Sequence, residues 1–173
     1  MEYIKNELQI IKSDAVKRRL EREFKQLVSN ELVYPESVTV KIGEEKTPGI
    51  SNYIVGFYSS YENKYFEFFL NINYPFKSPK LNLNCKPYSY LHYLNSKSAD
   101  FNKKLLKYKK IRCLCCSSIL CNDNWSPGYT MRHVIDEVKM FKNMCTDISK
   151  IVMIDVIKRK YLIDDIDIIG WIF

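Results

Sequence analysis

Long hydrophobic runs are missing from this sequence. No stretch approaches the ~18 uninterrupted apolar residues that a membrane-spanning helix needs, so a membrane partner is not expected. The apolar segment Ile168-Ile169-Gly170-Trp171-Ile172-Phe173 is far too short for an anchor and reads as core packing or a partner-facing patch. A secretory leader is not expected either, because Glu2, Lys5 and Glu7 put charges where its apolar region would lie. There is no internal repeat and no low-complexity linker. Nor are the 27 Lys and Arg residues gathered in one block, so a net charge of +7 suits an acidic partner but supplies little argument for nucleic acid.

What is present fits one compact domain over residues 1–173. Hydrophobic residues make up 46% and charged residues 27%, enough for a core and too apolar for a disordered chain. Six cysteines without a leader point to a reducing compartment, cytoplasm or nucleus. There they act as thiols, metal ligands or a nucleophile in preference to disulfides.

Residues 2–29 carry helical spacing, with Ile4, Leu8, Ile11 and Ala15 followed by Val16, Leu20, Phe24, Leu27 and Val28. Ser13-Asp14 is a possible cap inside it, so one helix or two are open. Residues 36–43 alternate with Val38, Val40 and Ile42 on one face, and 44–52, with Pro48-Gly49, form a turn. Residues 53–60 are a second strand, 64–73 a third with Phe66, Phe68, Leu70 and Ile72 facing one way, and Leu81 and Leu83 mark a fourth. Tyr74-Pro75-Phe76-Lys77-Ser78-Pro79 must leave the sheet because proline cannot donate to a ladder, and its aromatic-proline bond is a candidate for cis. From Lys86 to Trp125 the periodicity fails, apart from a basic segment, 103–110, that suits a short helix. Helix returns after Thr130, a candidate N-cap, with Val134, Val138 and Phe141 as its stripe, and 151–161 suits a last helix.

Two blocks resemble the ubiquitin-conjugating enzymes. Tyr74-Pro75-Phe76-Lys77-Ser78-Pro79-Lys80-Leu81 is similar to that family's Tyr-Pro-Phe-x-x-Pro segment. Ile119-Leu120, Asn124-Trp125-Ser126-Pro127-Gly128-Tyr129-Thr130 and the following Val134, Ile135 and Val138 are similar to its segment after the active cysteine. The resemblance covers about residues 15–141, leaving 142–173 as a divergent helical tail. It implies an α+β fold: an N-terminal helix, a four-stranded antiparallel meander, an irregular active-site segment and C-terminal helices. It also implies a function. A cysteine accepts ubiquitin or a ubiquitin-like protein as a thioester from an activating enzyme, and a lysine of the protein substrate, usually positioned by a ubiquitin ligase, attacks it. A thioester is reactive enough that no cofactor or metal is implied.

Cys116-Ser117-Ser118-Ile119-Leu120 has the family's Cys-x-x-Ile-Leu spacing, which ranks Cys116 first as nucleophile, then Cys113, then Cys115. The family's oxyanion donor is the Asn of a His-Pro-Asn motif. The nearest counterpart is Asn95 in His92-Tyr93-Leu94-Asn95, which lacks the proline, with Asn102 and Asn122 as competitors. The family's hairpin glycines are reduced here to Tyr61-Glu62-Asn63. By position, Lys17, Arg18, Arg19 and Arg22 match its basic leading helix, and Phe76, Ser126 and Pro127 its ligase-facing loops. Three other readings stay open: an inactive scaffold of the same fold, a zinc site from Cys113, Cys115, Cys116 and Cys121, and a basic nucleic-acid module on 103–110.

Overall fold

The computed structural model describes residues 1–43, 53–88, 99–110 and 118–161. Its leading segment is two helices. Helix α1 (Glu2–Glu7) runs into a 3₁₀ turn at Leu8–Ile10, and α2 (Asp14–Ser29) starts afresh. The break falls at Ser13, which is extended and accepts the Val16 N–H on its side chain, an N-cap that starts the second helix. Val16, Leu20, Phe24 and Leu27 form the buried stripe of α2.

The protein is α+β, with a five-stranded antiparallel sheet in sequence order: β1 (Thr39–Ile42), β2 (Tyr53–Ser59), β3 (Lys64–Leu70), β4 (Lys80–Leu83) and β5 (Lys86–Pro87). The turn expected at 44–52 lies outside the described residues. The expected four strands become five because Asn84 (φ 50°) and Cys85 (φ 62°) make a two-residue reversal with both φ positive, as a type I′ hairpin turn demands. Asn suits that turn, but Cys carries no turn signal and Pro87 argues against a strand. It is tolerated because β5 is an edge, where a missing N–H costs nothing. Other strands are shorter than the alternation predicts. β1 begins at Thr39 because Pro35–Ser37 form a 3₁₀ turn, and β3 stops at Leu70, where Asn71 accepts the Asn73 N–H and Ile72 is left exposed.

The sheet's inner face is aromatic. Phe57 stacks with Phe66 and Phe68 at centroid separations of 5.9 and 5.8 Å and meets Phe24 of α2 edge-on at 5.7 Å. Truncating one such ring to alanine costs about 3–5 kcal/mol in a packed core. Gly56 has a different task. A Cβ there would lie 2.0 Å from the Tyr65 hydroxyl, so the glycine lets the Tyr65 ring lie across the strand beside Tyr58.

Two further helices follow. Helix α3 (Ala99–Lys109) contains most of the basic segment, and Phe101 and Leu105, one turn apart, are buried. Helix α4 (Met131–Tyr161) is one continuous helix where two were expected. No Gly or Pro interrupts the chain between Phe141 and Ile151, and Met144, Cys145 and Ile148 continue the stripe across the join. The divergent tail is thus helical through Tyr161, and 162–173 lie outside the described residues. Phe101, Leu105, Phe141, Met144, Cys145 and Ile148 make a second apolar cluster beside the main one, and Lys104 pairs with Asp155 across it. No helix of the described residues is long and apolar enough to cross a membrane.

At the β2–β3 hairpin, Glu62 (φ 52°) and Asn63 (φ 49°) hold left-handed conformations that glycine would adopt more readily. The Glu62 carboxylate meets Lys142 and Lys64, the latter at 2.8 Å, and these hydrogen bonds hold its pKa down to about 2. A depressed carboxyl contributes stability above its ordinary pKa and loses it as pH falls towards 2. Because the cluster is exposed, Glu62→Gln is expected to lower the melting temperature slightly at low salt and not at all in molar salt, measured by thermal denaturation at neutral pH.

Candidate functional site

The two blocks that carry the sequence resemblance meet in space. The Tyr74–Pro75 peptide is cis, as the aromatic-proline pair suggested. The bend after β3 is closed by Tyr74 N–H to Asn71 O (2.8 Å) and Phe76 N–H to Asn73 O (2.7 Å). Trp125 covers it from the second block: its indole N–H donates to the Pro75 carbonyl at 2.6 Å, and its ring lies 6.3 Å from Tyr74 and 5.8 Å from Tyr129. Ser78 adds a hydroxyl donation to Asn122 Oδ1 at 2.7 Å. Phe76 is left 77% exposed, and Ser126 and Pro127 are exposed as well.

Beneath this union lies a buried glutamate that sequence reasoning did not single out. Glu23 of α2 is 2% exposed and accepts three hydrogen bonds, from Arg19 Nε, from the Tyr74 hydroxyl at 2.7 Å and from the Met131 N–H at 2.8 Å. It satisfies one of the orphan N–H groups at the start of α4 and places negative charge at that positive helix end. Burial, with the Glu23 charge second, raises the Tyr74 pKa, so the phenol stays a donor. Burial opposes the charge on Arg19, but the Glu23 hydrogen bond and charge win and raise its pKa. Arg19 also donates to the Tyr129 carbonyl at 2.7 Å. Of the four basic residues of α2 matched by position to the leading helix, Arg19 is therefore turned inward, whereas Arg18 and Arg22 are exposed and Lys17 donates to Gln9 at 2.8 Å.

A second buried glutamate holds the segment before Trp125. Glu137 of α4, 7% exposed, accepts from the Ser118 hydroxyl at 2.5 Å and from the Ile119 N–H at 2.7 Å. Ser118 in turn accepts the Leu120 N–H, and its carbonyl takes the Cys121 N–H and the Asn124 amide. The Cys121 carbonyl accepts from Asn124 N–H and Trp125 N–H, at 3.0 and 2.9 Å. Thr130 precedes α4 with its N–H donated to His133 Nδ1 at 3.1 Å, a histidine answering the cap position where Glu is usual.

Both glutamates were findable. Glu23 stands between Leu20 and Leu27, and Glu137 between Val134 and Phe141, three and four residues away, so each lies on its helix's apolar stripe. A charge on such a stripe needs buried partners. Glu137→Gln preserves one acceptor and is expected to cost about 1 kcal/mol, and Glu137→Ala, which strands the Ser118 and Ile119 donors, about 2–3 kcal/mol, by urea unfolding.

Cys113, Cys115, Cys116, His92 and Asn95 lie outside the described residues. Of the competitors, Asn122 is exposed in the 118–125 turn and Asn102 is half-buried on α3. Cys121 is half-buried, Cys85 exposed and Cys145 buried in the second cluster. Among the described residues no three His, Cys, Asp or Glu side chains are grouped to hold a metal ion. No family model, curated protein or solved structure matches this chain.

Proposed function

We propose that this chain has a ubiquitin-conjugating-enzyme-like fold and accepts ubiquitin or a ubiquitin-like protein as a cysteine thioester, then passes it to a lysine. The observation that carries the reading is the seating of Trp125 on the cis Tyr74–Pro75 bend. Residues fifty apart in the chain, recognised separately as two family-like blocks, form one hydrogen-bonded unit, and the second block leads directly out of the cysteine run.

In this reading Cys116 is the nucleophile. Its thiolate attacks the thioester carbonyl carbon of the modifier carried by the activating enzyme, and the enzyme's thiolate leaves. A substrate lysine amine then attacks the new thioester, and the Cys116 thiolate is expelled as the amide forms. Asn95 is the proposed amide donor to the oxyanion of that second step. Such a donor contributes about 2.7–4 kcal/mol, so Asn95→Ala should slow transfer about 10²–10³-fold. Ser118 and Ile119, held by Glu137, follow Cys116 closely in the chain. Exposed Phe76 beside Ser126 and Pro127 is the proposed ligase-facing surface, an aromatic anchor next to a proline loop. Lys17, Arg18 and Arg22 are the proposed contacts of α2 to the activating enzyme.

The test is a charging reaction with activating enzyme, ubiquitin and ATP, resolved on a gel without reductant. A shifted band that disappears with thiol is expected. No shifted band with ubiquitin or with any ubiquitin-like protein and its own activating enzyme would leave the fold without this chemistry.

A further inference from the structure

Lysines that look scattered along the chain are gathered on one side of α3. Lys103, Lys107 and Lys110 are exposed and stand four and three residues apart, the spacing that stacks side chains along a helix. Lys110 closes the helix with φ 54°, its N–H donated to the Lys107 carbonyl at 3.1 Å. Ala99 aside, every exposed side chain described on 99–110 is one of these lysines. The other side holds the helix in place: Phe101 and Leu105 are buried in the cluster shared with α4, and Lys104 is paired with Asp155. None of the three exposed lysines enters an ion pair among the described residues. No Asp or Glu occurs between Phe101 and Asn122 to offset them along the chain.

We propose that this lysine stripe binds the phosphodiester backbone of nucleic acid without reading its sequence. The chemistry of the stripe favours that partner over an acidic protein. Protein interfaces are depleted in lysine and built on an apolar centre, and the stripe has no apolar side chain within it. A phosphate backbone asks only for positive point charges, which lysine supplies. The spacing agrees: the three lysines span about 10 Å along the helix, a distance over which one duplex strand presents about three phosphates. A net charge of +7 makes the rest of the chain attractive to a polyanion as it approaches. The inference goes beyond the proposed transfer chemistry, since it uses neither the cysteine run nor the Trp125 bend.

The experiment measures binding of the full chain to a fluorescein-labelled mixed-sequence DNA duplex, and to an RNA single strand, by anisotropy over a salt series. Each phosphate neutralised adds about −0.9 to the slope of log K against log salt on a duplex and about −0.7 on a single strand. Lys103→Gln/Lys107→Gln/Lys110→Gln is therefore expected to make the slope shallower by about 2–3 on whichever nucleic acid binds, and Lys107→Gln alone by about 0.7–0.9. Lys12→Gln/Lys25→Gln/Lys41→Gln removes the same charge from exposed positions elsewhere and should keep the parent slope. Unchanged circular dichroism and melting temperature establish that the variants are folded. Failure of the parent chain to bind either nucleic acid at low salt overturns the proposal. An equal change of slope in the two triple variants also overturns it, because net charge then accounts for the binding. Two further outcomes have the same force: labelled polyglutamate bound as tightly as nucleic acid, which assigns the stripe to an acidic protein, and binding to anionic phospholipid vesicles alone, which assigns it to a membrane surface.

Discussion

Cys116→Ser is expected to eliminate the thiol-labile ubiquitin adduct completely, while Cys113→Ser and Cys115→Ser retain it. A serine hydroxyl at neutral pH is a far weaker nucleophile than a thiolate, and any ester it forms resists thiol, so the readout separates the two chemistries. The choice within the cluster rests on the Cys-x-x-Ile-Leu spacing that Cys116 makes with Ile119 and Leu120. Cys116 precedes Ser118 by two residues in the chain, and Ser118 and Ile119 are hydrogen-bonded to Glu137. Cys113 stands five residues before Ser118 and lacks that spacing. If Cys113→Ser alone abolishes charging, the assignment of Cys116 is wrong. If all three single variants charge normally, the nucleophile lies outside the run.

Among polar side chains, the largest effect on stability is expected at Glu23. Glu23→Ala should lower the unfolding free energy by about 2–4 kcal/mol, because it strands Arg19, the Tyr74 hydroxyl and the Met131 N–H together. The value falls below the full cost of breaking a buried ion pair since Arg19 retains 18% exposure of its side chain and can reach water. Tyr74→Phe removes one donor and leaves the carboxylate two, so about 1 kcal/mol is expected. Urea unfolding with an unchanged slope is the measurement. A Glu23→Ala loss no larger than that of Tyr74→Phe would show that the carboxylate does not organise the junction of α2, the cis bend and α4.

Much of the fold was legible because the signals are local. The stripes Val16-Leu20-Phe24-Leu27 and Val134-Val138-Phe141 identify two helices, and the Phe66-Phe68-Leu70 alternation identifies a strand and its buried face. Where reading failed, distant packing or an unusual turn residue intervened. β5 was missed because Cys85 occupies a left-handed turn position without announcing it. The short helix expected on 103–110 is present but starts earlier, at Ala99, because Phe101, outside the basic segment, is buried with Leu105 against α4. α4 was divided because the family-like pattern ends near Phe141, although the helix does not.

The candidate site divides along the same line. Sequence alone determined the cis-prone Tyr74–Pro75 bend, the Trp125 block and the cysteine run, because proline chemistry, aromatic type and residue spacing are properties of neighbours in the chain. Only the tertiary structure decided that Trp125 sits on Pro75, that Arg19 faces inward and that Glu23 and Glu137 hold the junctions. A hydrogen bond between residues 23 and 131 exists only once both helices have docked on the sheet, and that docking is set by the burial of the whole core and not by any one segment of it.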